Sequence, residues 1–114
     1  MIKLKEEQNC TTEINQKGDI KLYISDLADF NIRNDKLRTF ALAQLKAQEE
    51  VEFHVHEGEA EYYYILSGIG VYTDNQNKIK VTPGMVTFTP SGSGHGIKNT
   101  GSETLEFIAL IIKD

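Results

Sequence analysis

All three histidines of the chain, His54, His56 and His95, fall within two short motifs. The first reads His54-Val55-His56-Glu57-Gly58-Glu59-Ala60-Glu61 and, after six more residues, reaches Gly68. The second runs from Gly84 through Pro90-Ser91-Gly92 to His95 and Asn99. Imidazole nitrogens and carboxylate oxygens are donors that divalent transition metals take from proteins. His54, His56, Glu61 and His95 together offer three neutral nitrogens and one anionic oxygen. That set suits Fe(II), Mn(II), Ni(II), Zn(II), Co(II) or Cu(II) rather than calcium or magnesium, which prefer oxygen donors. The expectation is one ion per chain, with coordination positions left for water or substrate. An isolated His-x-His is weak evidence. The joint spacing of two distant segments, with no histidine left over, is what carries the reading.

These donors have to be positioned by strands. Alternate residues of a strand share a face, so His54 and His56 project together, about 7 Å apart along the chain. If the turn at Glu57–Ala60 closes a tight hairpin, Glu61 lies opposite His56 on the same side, while Glu57 and Glu59 face solvent. His95 must arrive from a separate strand, set by the Pro90–Gly94 loop. Strand patterns cover Ile20–Ile24, Val51–His56, Glu61–Ser67, Val71–Thr73, Met85–Thr89, His95–Asn99 and Leu105–Ile112. Thr39–Leu45 suits a strand, although its alanines and glutamine leave a helical reading open. Asp26–Asp35 reads as irregular, and Gly84 as a positive-φ turn residue. The nearly continuous apolar run at Leu105–Ile112 predicts burial of both its faces. Many short strands without a helical period predict an all-β sandwich or barrel.

A chain of 114 residues predicts one domain over residues 1–114, with 1–19 as an N-terminal arm or edge segment. The net charge of -5, without a basic run, argues against a nucleic-acid partner. No apolar stretch is long enough for a membrane helix, and Met1–Glu7 lacks the apolar core of a signal peptide. A cytoplasmic protein is therefore expected, with the single cysteine, Cys10, as a free thiol on a loop.

The two motifs resemble those of the cupin superfamily. In that family the first motif is glycine, five residues, His-x-His, three or four residues, glutamate, six residues, glycine. The second is glycine, five residues, Pro-x-Gly, two residues, histidine, three residues, asparagine. His54, His56, Glu61 and Gly68 match the first; Gly84, Pro90, Gly92, His95 and Asn99 match the second with every spacing kept. The motifs occupy residues 48–99, separated by a short gap like that of small bacterial cupins. One position departs: Gln48 stands where the first motif opens with glycine, so the Lys46–Glu50 turn is in question. The resemblance implies a double-stranded β-helix, or jelly roll, with the metal inside the barrel. It also implies a homodimer. The pattern at Tyr62, Tyr64 and Leu66, alternating with Glu61, Tyr63 and Ile65, agrees, since both faces of that strand are apolar.

With one carboxylate among its ligands, a divalent ion keeps a local charge of about plus one. Such a site favours a small polar or carboxylate-bearing metabolite. Decarboxylase or lyase, isomerase and dioxygenase chemistry all fit, and the motifs do not choose among them. Catalytic candidates are Tyr63, expected on the inward face with Glu61, Glu52, sharing the face of His54 near the barrel mouth, and Tyr72. Gln44 is a further cavity candidate. For the tyrosines and Gln44, packing or a structural hydrogen bond is the competing role. The alternative function is a non-catalytic ligand-binding or sensor barrel. No DNA-binding pattern is attached.

Overall fold

Alternating burial along the strands builds two antiparallel sheets that face each other. The computed structural model describes residues 1–114. After a single 3-10 turn at Lys5–Glu7 come β1 (Cys10–Ile14), β2 (Ile20–Asp26), β3 (Leu37–Leu45), β4 (Glu50–Val55) and β5 (Glu59–Ser67). Then follow β6 (Gly70–Asp74), β7 (Asn77–Val81), β8 (Val86–Thr89), β9 (Gly94–Asn99) and β10 (Leu105–Lys113). One sheet has the order β1-β2-β3-β10-β5-β8 and the other β4-β9-β6-β7. This is the jelly roll expected from the sequence. No helix is long and apolar enough to cross a membrane.

The core lies between the inner faces. Leu45, Ile65, Val81, Ile97, Leu105 and Phe107 are all but completely buried there. In β5 the inward set is Glu61, Tyr63 and Ile65, while Tyr62, Tyr64 and Leu66 point outward and stay exposed. The strand Leu105–Lys113 corrects the expectation of burial on both faces. Its Leu105, Phe107, Ala109 and Ile111 are buried, and its alternate residues Ile108, Leu110 and Ile112 are only half-buried. The Thr39–Leu45 segment is strand, and β1 and β7 add two polar strands that the hydrophobic pattern did not announce.

A second correction concerns the turn after His56. It does not close a hairpin. β4 pairs with β9, whereas β5 pairs with β10 and β8. The chain crosses from one sheet to the other at Glu57–Gly58, so Glu61 meets the histidines across the barrel interior.

Two backbone features explain how the motif turns work. Gly68 has φ +84, and a Cβ there would lie 2.6 Å from the Thr104 carbonyl oxygen; glycine is required on both counts. Asn99 ties the same end together: its amide nitrogen donates to the carbonyls of Leu45 and Glu103, and its amide oxygen accepts from Gly101 N–H. Gln48, at the motif's glycine position, keeps a left-handed backbone with φ +69. Gln48 thus occupies the backbone region that glycine favours. A left-handed non-glycine residue costs about 1–2 kcal/mol, partly offset by the extra unfolded-state entropy of glycine. Gln48→Gly should therefore stabilise the protein by about 0.5–1 kcal/mol. Chemical denaturation should show a raised midpoint with an unchanged m-value.

Candidate metal centre

A β-bulge aims the first motif. In β4, Val51 pairs with Ile97 and His54 with His95, so Glu52 and Phe53 together stand opposite the single residue Gly96. On a regular strand Val51 and Phe53 would share a face and His54 would point away. The extra residue shifts the alternation by one, so that Val51 and His54 both turn inward. Phe53 and Val55 are left exposed. Gly96 makes room for the bulge: a Cβ on it would lie 2.9 Å from the Val51 carbonyl oxygen and 3.0 Å from the Phe53 nitrogen.

His54 from β4, His56 just past its end, His95 from β9 and Glu61 from β5 thereby meet at one point. Each offers one donor atom, and all four lie within 4.8 Å of one another. His54 Nε2 is 3.0 Å from His56 Nε2, and His56 Nε2 is 3.1 Å from His95 Nε2. Glu61 Oε1 is 2.8 Å from both His56 Nε2 and His95 Nε2. His95 is fully buried, and Glu61 is 5% exposed.

The opposite ring nitrogens are anchored. His54 Nδ1 donates to the Glu52 carbonyl at 2.8 Å. His56 Nδ1 donates to the Glu59 carboxylate at 2.9 Å. Carbonyl and carboxylate oxygens only accept, so both neutral rings carry their proton on Nδ1 and present a bare Nε2. The Tyr72 hydroxyl and Thr89 Oγ1 flank His95 Nδ1 at 2.9 and 3.0 Å, and bond each other at 2.7 Å. Between the bare nitrogens of His54 and His56 there is no proton to share, so their approach is repulsive. A cation would turn that repulsion into attraction.

The spacing also discriminates between geometries. Around an ion about 2.1 Å from each donor, neighbours at right angles stand about 3.0 Å apart and tetrahedral neighbours about 3.4 Å. Four of the six separations, at 2.8–3.1 Å, lie near the right-angle value. The four residues could hold a divalent transition metal ion.

Glu59 corrects the expectation that it faces solvent. It is 6% exposed, bonded on one oxygen to His56 and on the other to Arg38. Burial works to raise its pKa, but the hydrogen bonds from Arg38 and His56 outweigh it and hold the carboxyl below its ordinary range. A carboxylate behind a metal-facing histidine fixes the ring and raises its basicity. Nothing in the motif pattern distinguished Glu59 from Glu57; only the crossing of the chain between sheets separates them.

The cluster opens into a cavity of about 400 Å³, whose walls include Leu22, Ile24, Ala41, Ala43 and Phe107 with His54, His56 and Glu61. Tyr63 lines it and stacks on His95, with ring centroids 4.9 Å apart. Burial and the neighbouring Glu61 charge push the Tyr63 phenol well above its ordinary pKa, so it remains a hydrogen-bond donor and is no base near neutral pH. Glu52 is exposed at the cavity's edge. Tyr72 is not part of that wall; it sits behind His95. Gln44 also lies away from it, on the outer face, donating to Glu106 at 2.7 Å. Arg38 and Thr89, absent from the sequence-based candidates, belong to the surrounding shell.

Two facing sheets closed around three histidines and one carboxylate define a small barrel whose donor cluster could hold a metal ion. A family model, the Cupin domain, matches residues 41–111. An oxalate-binding protein from Thermotoga maritima is 43% identical over 96 residues, covering 84% of this chain and 78% of its own. The crystal structure of a predicted oxalate decarboxylase from Thermotoga maritima superposes with TM-score 0.90 at 37% identity, covering 100% of both chains. KdgF from Halomonas sp. shares the fold at TM-score 0.76 and 13% identity, with 97% of this chain and 94% of that one covered. The chain belongs to the cupin family.

The cluster makes the metal-free protein acid-sensitive. Burial lowers the His54 pKa, assisted by the nearby His95 and His56 and opposed by its bond to Glu52. A histidine with a depressed folded-state pKa binds its proton more readily when unfolded, so stability is lost as the pH falls below about 6.5. Glu59, held low, adds a further loss under more acidic conditions, below about 4.5. The melting temperature of chelator-stripped protein should fall between pH 7.5 and 5.5, and His54→Asn should flatten that dependence.

Proposed function

We propose that His54, His56, Glu61 and His95 bind one divalent transition metal ion, and that the ion holds a small carboxylate ligand of the oxalate class. The crowding of bare nitrogen donors around one carboxylate at the cavity floor carries this reading. Glu61 neutralises only one charge of a divalent ion, so the site attracts anions. Oxalate offers two carboxylate oxygens for two open positions and is small enough for a cavity of about 400 Å³. The names of the two Thermotoga maritima relatives point the same way. When bound, the ion would supply Lewis-acid polarisation of the carboxylate. The chain itself supplies an apolar wall that limits water and, at Tyr63, a protonated hydroxyl facing the ligand space.

Binding without turnover is a second reading, and one observation favours it. Apart from Glu61, no buried carboxylate is free to act at the cavity. Glu59 is tied to Arg38 and His56, while Glu13 and Glu52 are exposed. The experiment begins with metal analysis of the purified protein, expected to give about one ion per chain. His54→Ala with His56→Ala should abolish it, and an unchanged metal content would overturn the site. Calorimetric titration should show saturable oxalate binding to metal-loaded protein and none after chelation. Release of carbon dioxide or formate from bound oxalate separates turnover from binding alone.

We infer that the partner is a second copy of the chain, docked on the outer face of the larger sheet. Phe40, Leu110, Tyr62 and Phe88 align across β3, β10, β5 and β8, as do Leu42, Ile108, Tyr64 and Val86. These two rungs carry no charge. An uncharged apolar face has no field to match and is complementary to itself about a two-fold axis. Sedimentation should give a dimer. Tyr64→Glu with Val86→Glu, placing charges on adjacent strands of that face, should give a monomer that still holds metal. A wild-type monomer at tens of micromolar would refute the assignment.

A further inference from the structure

We propose that Arg38 is the residue that recognises the ligand's carboxylate, holding the oxygens that the metal leaves free. The inference rests on the metal-carboxylate reading above and adds the group that selects anions.

The argument begins with the backbone. On β3 the residues Ala41, Ala43 and Leu45 face inward, and Phe40, Leu42 and Gln44 face outward. Regular alternation would put Arg38 on the outer apolar face beside Phe40. The pairing with β10 is broken at that point: Thr39 pairs with Ile111 and Leu37 with Ile112, which leaves Arg38 as the extra residue of a bulge. Bulges re-aim side chains, and they concentrate next to functional sites. Here the bulge brings Arg38 to the wall of the cavity that also holds His54, His56 and Glu61.

Its guanidinium is fixed and yet available. Nη1 donates to Glu59 Oε1, and Glu59 Oε2 accepts from His56 Nδ1. The side chain is 57% exposed, and it makes no other bond within the chain. Of the five N–H groups in the planar fork, four remain for a ligand. A structural ion pair alone needs neither the bulge nor the open position. A carboxylate reaching from the metal toward Arg38 would meet a pre-oriented fork, with little side-chain entropy left to lose. Through Glu59 the same guanidinium is linked to His56, so the anion and the metal ligand share one charged network.

The test uses metal-loaded full-length protein and two probes, oxalate and imidazole, followed by calorimetry or by competition. Imidazole is a neutral metal ligand with no carboxylate. Arg38→Gln should weaken oxalate about 10- to 100-fold, the range of a charge-assisted bidentate contact. Arg38→Lys, which keeps the charge but loses the fork, should fall in between. Imidazole affinity should fall far less than oxalate affinity in both variants, because imidazole offers Arg38 no carboxylate. Oxalate affinity in Arg38→Gln equal to wild type would overturn the proposal, and so would equal weakening of imidazole, which would make Arg38 a prop for His56. Failure of wild-type metal-loaded protein to bind oxalate would instead overturn the carboxylate reading itself, and this proposal with it.

Discussion

Four electron-rich atoms are held within 4.8 Å of one another in the middle of the barrel. His54, His56 and His95 turn their Nε2 atoms toward a nearly buried carboxylate. Packing of apolar side chains cannot make this arrangement favourable; it has to be imposed from outside. Each ring is pinned from behind: His54 by a backbone carbonyl of its own strand, His56 by Glu59, and His95 by Tyr72 and Thr89. The anchors come from β4, β5, β6 and β8, so both sheets are committed to keeping the donors in place. This is the supporting shell that a preorganised metal site requires.

The two sheet faces divide the work. Inner faces carry the site and the core, and the outer face of the larger sheet carries the exposed aromatic and aliphatic rungs. The strands β3, β5 and β10 contribute to both. Their strict alternation keeps the two functions apart, so a side chain changed on one face leaves the other untouched. Where the molecule needs an exception, it breaks the alternation locally. Two such breaks lie at the site, in β4 at the histidines and in β3 at Arg38.

The donor residues and most turns were legible because they depend on residue type at fixed spacing. His54, His56, Glu61 and His95 do converge, and Gly84 has the positive φ expected of it. Strand pairing was not legible. A short turn at Glu57–Gly58 is compatible with a hairpin or with a crossing between sheets, and only long-range pairing decides. The error over Glu59 follows from that one ambiguity. Bulges were equally hidden, since they arise from register against a partner strand and leave no pattern on their own. The polar strands β1 and β7 carry no hydrophobic period, so nothing in their residue pattern announces them. Gln48 shows the converse: a glycine position can keep its left-handed backbone when the surrounding turn is sufficiently constrained.

The bulge opposite Gly96 has a consequence for how such a barrel can change over generations. Because His54 and His56 share one parity, both turn inward together once the bulge has absorbed the extra residue of β4. Point substitutions can tune the cluster one ligand at a time. Loss of one residue at Glu52–Phe53 would remove the bulge and leave a regular strand, on which Val51 and the His-x-His pair still share the inner face opposite Ile97 and His95. The bulge is therefore a place where the strand can lose a residue without turning the cluster out of the barrel.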